Sequence, residues 1–280
     1  MIELESMSYQ YSVFTSSSKN SGNPAFVIFD FEADETQMQA LAKNSGFPVV
    51  VFILKGQKYP LIRFFYPNME SSLCVHGAMA AAFAVFKNKF SQDQNILLET
   101  KSSGVLAFLI NSENQSVRIK LFKKLVLSPP NFDLKLICNF LNLDSENLID
   151  QNLPCRIESV GSPKLLVPLK DLKILGTLRP NFDLIKTWSL KNKINGLYVY
   201  FVDQNQNIFA RNFNPNSGIQ EDSGTGVAAG ALCLILKRDL EIFQGEFIGK
   251  PSEIFAEYAS EDHVWVRGAV SEWVSRHCKM

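Results

Sequence analysis

Two short stretches concentrate the side chains that could do chemistry. Glu70-Ser71-Ser72-Leu73-Cys74-Val75-His76-Gly77 carries a carboxyl, a thiol and an imidazole close together. Gly218-Ile219-Gln220-Glu221-Asp222-Ser223-Gly224-Thr225-Gly226 carries two adjacent carboxyls, two hydroxyls and several glycines. Each stretch runs straight into a segment that is apolar nearly all round, which predicts a helix enclosed by protein. A helix start presents free backbone N–H groups and the positive end of the helix dipole, so it favours anions. Two such starts facing one cleft would receive a carboxylate, with His76 and Asp222 as its titratable walls. The bland alternatives are specific too. His76 could pack or cap at its helix start, Asp222 could be an N-cap, and Glu70 could tie down its own loop. Cys74 could be a buried, inert thiol.

The elements that would position these residues follow from periodicity. Gly22-Asn23-Pro24 is a turn into a strand over Ala25–Phe31. Asp34 with Gln37 three residues on reads as a capping box, and Met38, Leu41 and Ala42 form the buried stripe of the helix that follows. Strands follow at Val49–Leu54 and Leu61–Phe65, then the first enclosed helix from His76 to about Lys87. Ile96–Thr100, Val105–Ile110 and Val117–Phe122 continue as strands. After Pro129-Pro130 the pattern restarts, with amphipathic helices over Asn131–Leu141 and Asn181–Leu190. Strands are predicted at Ile157–Val160, Leu165–Leu169, Leu197–Val202 and Ile208–Phe213. The second enclosed helix runs from Thr225 to about Leu236, and strands at Ile254–Tyr258 and Val264–Arg267 close the chain, with a last segment through Trp273.

Composition narrows the function. The chain has 280 residues, 46% hydrophobic and 20% charged, with 28 basic and 28 acidic side chains. That balance builds a globular core and argues against nucleic acid or an anionic membrane as partner. The longest apolar runs, Gly77–Phe86 and Gly226–Leu236, have 10 and 11 residues, well short of the ~18 that a membrane span needs. The N-terminus shows no signal-peptide pattern, and the five cysteines contain no C-x-x-C, so a reduced, cytoplasmic protein without a metal site is expected. With three histidines, mechanisms needing several are excluded.

The chain also echoes itself. Arg63-Phe64-Phe65-Tyr66-Pro67-Asn68 pairs with Arg211-Asn212-Phe213-Asn214-Pro215-Asn216 at an offset of 148, with four of six residues repeated. In each half a strand, a Pro-Asn turn, an acidic residue, a small-residue turn and an enclosed helix follow in order. The expected organisation is therefore two similar domains, 1–125 and 126–267, each with its own core and a cleft between them. The last segment, 268–280, would return to complete the first domain.

These motifs resemble the phenazine-biosynthesis PhzF family of the diaminopimelate-epimerase superfamily. Ser21–Asp30 (SGNPAFVIFD) resembles that family's N-G-N-P-x-x-V-x-x-D opening. LIRFFYPNMESSLCVHGAMAAAFAVF resembles I-R-x-F-T-P-x-x-E-x-x-x-C-G-H-A-T, and GSPKLLVPL resembles G-S-P-R-x-x-V-P. RNFNPNSGIQEDSGTGVAAGAL resembles R-x-F-x-P-x-x-G-I-x-E-D-P-A-T-G-S-A, and Gln244 to Ser252 resembles Q-G-x-x-x-G-x-P-S. The resemblance implies an α+β fold of two similar domains, each a mostly antiparallel sheet wrapped around a central helix. It implies acid–base chemistry on a small carboxylate-bearing molecule without metal or cofactor, and a homodimer. By position, His76 and Asp222 are the polar groups that hold and polarise the substrate. Asn23, Glu70, Cys74, Val75, Gly77, Ser223, Gly224, Thr225, Gly226 and Val227 would form its binding surface.

One family position departs. The stretch N-L-S-E-T-x-F-V aligns with Ser45–Ile53 so that Val49 stands at the family's proton-transferring Glu, and valine cannot move a proton. Val75 replaces a glycine and Val227 a serine, both adding bulk at the expected carboxylate site. Three readings stay open: an isomerase-type enzyme lacking the usual Glu, an epimerase or dehydratase based on Cys74 with Ser223 opposite, and a non-catalytic binder of a small carboxylate or a partner.

Overall fold

The structure, a computed structural model, describes residues 7–88 and 94–273. His277 and Cys278 lie outside the described residues. The first part of the chain contains β1 (Ser8–Val13), β2 (Asn23–Phe29), α1 (Glu35–Asn44), β3 (Val50–Leu54), β4 (Leu61–Phe65), β5 (Glu70–Ser71), α2 (Val75–Lys87), β6 (Asn95–Thr100), β7 (Gly104–Asn111) and β8 (Ser116–Phe122). The second contains α3 (Leu134–Leu141), β9 (Arg156–Glu158), β10 (Lys164–Pro168), α4 (Leu172–Thr177), α5 (Phe182–Asn192), β11 (Leu197–Val202), β12 (Ile208–Phe213), β13 (Glu221–Asp222), α6 (Gly226–Leu236), β14 (Leu240–Gln244), β15 (Ser252–Tyr258) and β16 (His263–Trp273).

All strands join one mixed sheet, in the order β1-β2-β3-β4-β6-β7-β8-β16-β15-β14-β12-β11-β10-β9, with β5 on β4 and β13 on β12. β1 also pairs with β16, so the run from β1 to β16 closes into a barrel. β16 is shared. His263–Ala269 pairs with β8, Val264–Arg267 with β15, and Val270–Trp273 with β1. The echo in the sequence is an echo in topology. β2 runs parallel to β3, β3 antiparallel to β4, and β4 reaches parallel β6 across α2. β10, β11, β12 and β14 repeat that pattern around α6.

The two enclosed helices are built for their place. α2 packs against strands on every side of the barrel, and its run of alanines keeps it slim enough to fit. α6 repeats this with Ala228, Ala229, Gly230 and Ala231 against β15, β16 and β10. The outer faces are covered as well. α1 lays Met38, Leu41 and Ala42 over Phe26, Ile28, Val50 and Phe52. Helices α3 to α5 lay Ile137, Phe140, Leu175 and Ile185 over Leu165, Val167, Leu197 and Val199. The predicted capping box on α1 is present, with both Asp34–Gln37 hydrogen bonds formed at 2.8 and 3.0 Å.

Separate cores, expected from the repeat, are not what the packing produces. One continuous apolar cluster includes the residues of α2 and those of α6. The cause is close contact at the helix starts: a Cβ on Gly226 would stand 2.4 Å from Val75 Cγ1, and one on Gly161 2.5 Å from Leu73 Cδ2. Only glycine admits those approaches. Among the described residues no helix is long and apolar enough to cross a membrane.

Candidate active site

The N-termini of α2 and α6 meet, and neither N-cap residue, Cys74 or Thr225, closes its helix with a side-chain hydrogen bond. Backbone donors at both starts are therefore free of local capping. Between them lies a cavity of about 20 Å³ lined by Tyr66, Leu73, Cys74, Val75, His76, Lys164, Asn195, Asn212, Asn214, Asp222, Thr225, Gly226 and Val227. That space holds about one water. Val75 and Val227 fill the rest, so ligand entry requires these walls to move apart.

Asn23 ties the two turns together. From β2 its Nδ2 donates to Asp222 Oδ1 at 2.6 Å and to the Gly224 carbonyl at 2.8 Å, and lies 3.3 Å from His76 Nδ1. Thr225 Oγ1 donates to Asp222 Oδ2 at 2.6 Å, so both carboxylate oxygens are held. Gln244, fully buried on β14, donates to the Asp222 carbonyl at 2.7 Å and to Thr225 Oγ1 at 3.0 Å. Asp222 is thus the centre of a fixed network rather than the N-cap of α6.

His76 is buried with Cys74 Sγ 3.5 Å from Nδ1. Burial works against its imidazolium, yet Cys74, Asp222 and the Pro24 carbonyl together hold its pKa above the ordinary histidine value. Burial, Cys74 and Asp222 all push the Tyr66 phenol well up, so it stays protonated and can donate. Cys74, His76 and Tyr66 form one polar wall, and Asp222 with Thr225 forms the other.

Several predicted residues stand elsewhere. Glu70 receives both hydrogen bonds of a forked contact from Arg63, Nε to Oε1 and Nη2 to Oε2, each 2.7 Å, and does not line the cavity. Arg211 makes the equivalent contact to Glu221 at 2.8 and 2.6 Å. The repeated Arg and acidic residues of the echo are therefore structural clasps. Ser223 Oγ donates to the Gly22 carbonyl at 3.2 Å and does not line the cavity, so the Ser223 hydroxyl does not stand opposite Cys74 there. Gly77 and Gly224 do not line it; Cβ atoms there would press on Val51 and on Phe14 and Ser252. Val49, just before β3, is fully buried in the same apolar cluster as Val51 and does not line the cavity.

Lys164, Asn212 and Asn214 were not singled out in sequence. Lys164, 1% exposed, faces the cavity from β10, and no hydrogen bond or ion pair among the described residues reaches its amine. Burial drives its pKa down from 10.5 to about 7, opposed in part by Asp222. The side-chain carbonyls of Asn212 and Asn214 are also buried without partners. A signal existed: a lysine inside GSPKLLVPL, a strand otherwise apolar on both faces, has nowhere to reach water.

Comparison with known proteins agrees with this architecture. The fold is shared with a phenazine biosynthesis protein of the PhzF family from Bacillus anthracis, at a TM-score of 0.80 and 21% identity, covering 96% of this chain and 97% of that one. Residues 11–272 match the family model for phenazine biosynthesis-like proteins, PhzC-PhzF, and the chain belongs to that family. It is 31% identical over 270 residues to an uncharacterized isomerase of Clostridium acetobutylicum, covering 89% of this chain and 88% of that protein. It is 29% identical to the trans-2,3-dihydro-3-hydroxyanthranilate isomerase of Pseudomonas chlororaphis, covering 84% of each.

Proposed function

We propose that this chain is an isomerase-type protein that acts on a small carboxylate-bearing metabolite by acid–base chemistry without a cofactor. The carrying observation is the convergence of Asn23, Cys74, His76, Asp222 and Thr225 at two uncapped helix starts. The substrate carboxylate would lie against the backbone N–H groups of those starts, and a raised His76 pKa would supply positive charge beside it. Asp222, which accepts from Asn23 and Thr225, would orient those groups, and the charge on His76 would offset its repulsion of the substrate carboxylate. Val49 stands where the family's Glu would be, so proton transfer would need another group. The working unit would be a cytoplasmic homodimer of chains divided into domains at 1–125 and 126–267, the first completed by the last strand.

A second reading, a binder that does no chemistry, draws support from Val49 and from the small cavity filled by Val75 and Val227. Both readings share a test. Titration with sulfate and with a series of amino and hydroxy acids should show binding that tightens as pH falls through the protonation range of His76. His76→Ala should remove that pH dependence. Unchanged affinity and pH profile in His76→Ala would displace the site from these two turns.

A further inference from the structure

Lys164 stands on the cavity wall outside the network of Asn23, Asp222, Thr225 and Gln244, and among the described residues no hydrogen bond or ion pair reaches its amine. Its neighbours on the same wall, Asn212 and Asn214, present buried carbonyl oxygens without donors. Three unpartnered polar side chains around one small space form a wall prepared for a polar ligand, because buried polar groups are otherwise paired. Leu166, two residues on along β10, belongs to the same apolar cluster as α6, so Lys164 emerges from apolar surroundings rather than from a salt-bridged surface.

We infer that the Lys164 amine is the proton carrier of this site, performing the step for which Val49 has no group. The inference rests on the acid-binding reading above. The neutral amine takes a proton from a carbon beside or conjugated to the ligand carboxylate, breaking C–H and forming N–H. The electron pair left on carbon delocalises into the carboxylate or an adjoining double bond. The ammonium then returns the proton to the same carbon or to another carbon of the conjugated system. The net change is an isomerisation, with no oxidant, reductant or leaving group. Asn212 and Asn214 would accept hydrogen bonds from an amino or hydroxyl group on the same ligand.

Charges around the amine allow this role. Asp222, His76, Cys74 and Tyr66 face it across the cavity. Glu158 lies opposite on β9 but is taken by Arg156 at 2.7 Å and Lys123 at 3.7 Å. Burial is the larger influence and Asp222 the lesser, which leaves the amine near half-protonated at neutral pH, the condition a general base needs.

The test is hydrogen–deuterium exchange in D2O. The intact protein is incubated with a panel of trans-2,3-dihydro-3-hydroxyanthranilate, proline, other amino acids and 2-hydroxy acids. Proton NMR follows loss of C–H, and saturation-transfer NMR follows binding separately. Wild type is expected to bind and exchange at least one acid, with kcat, read at saturating ligand so that His76-dependent binding drops out, rising as the Lys164 amine deprotonates. Lys164→Met should still bind that acid, exchange it at saturation at least ~100-fold more slowly and lack the pH limb. Lys164→Ala should recover exchange with added methylamine or ethylamine in proportion to amine basicity, a response that a purely structural lysine would not give. Circular dichroism establishes that both variants are folded, and Lys164→Gln replaces either that is not. Exchange by Lys164→Met at the wild-type rate, or binding by wild type without exchange, overturns the lysine's role and leaves the binding reading standing. No binding of any panel acid overturns both.

Discussion

Replacing Lys164 by methionine should make the protein more stable, and the gain should depend on pH in a defined way. The folded-state pKa is depressed from 10.5 to about 7 by burial. Below pH 7 the amine is protonated in both states, and the cost of holding the buried charge is fully present. Between pH 7 and about 10.5 the unfolded chain binds more protons than the folded one, so stability rises with pH, by up to about 1.4 kcal/mol per pH unit. Above that range the cost is gone. The whole depression corresponds to about 5 kcal/mol, and the side chain is 1% exposed, so solvent screening takes little from it. Methionine has similar length and no charge, so Lys164→Met should gain at least about 2 kcal/mol at pH 6.5. Urea unfolding of both proteins at pH 6.5, 7.5, 8.5 and 9.5, under reducing conditions, gives the difference at each pH, with effects of the other titrating groups common to both chains. The difference should shrink by roughly 3 kcal/mol across the series. A variant less stable than wild type at every pH, or a gap that does not change with pH, would mean that Lys164 is solvated or paired, and the argument for a neutral amine would fail.

Val49→Glu should destabilise by at least about 3 kcal/mol and should not create an active carboxylate, because position 49 is enclosed in the apolar cluster; thermal unfolding measures the loss. Val75→Ala should cost about 1–2 kcal/mol of stability and strengthen binding of sulfate or small acids by severalfold, since Val75 fills the gap against Gly226; calorimetric titration reads the affinity. Glu221→Gln should cost roughly 3–5 kcal/mol in urea unfolding, because it leaves the Arg211 guanidinium buried without its counter-charge, whereas a loss below about 1 kcal/mol would contradict that accounting.

Motifs and periodicity gave the site its outline because both depend on short stretches of chain. Two enclosed helices, the acidic and small-residue turns before them and the Asp34 capping box are all local patterns, and each is present where its residues predict. β1 and β14 escaped because SYQYSV and LEIFQ are too polar to stand out; they exist because neighbouring strands pair with them on both sides. The Arg63–Glu70 contact is made across a strand pairing, which spacing within Glu70's own stretch does not show, and the matching Arg211–Glu221 pair in the echo marks both as one structural device. The closeness of Val75 to Gly226 is a fact of three dimensions. Volume at a contact between distant segments has no signature in spacing, and neither does the shared core that results.

The shared strand β16 has a consequence for synthesis. The barrel of the first part ends at Phe122, but the strand that closes it begins only at His263. At usual elongation rates the ribosome needs on the order of ten seconds to make the intervening chain. Throughout that interval β1 and β8 are open edges, able to pair with other chains. Closure then joins the two most distant parts of the sequence, a slow step by contact order. A chain that stops short of residue 263 therefore injures the barrel made first, although every residue lost comes from the end made last.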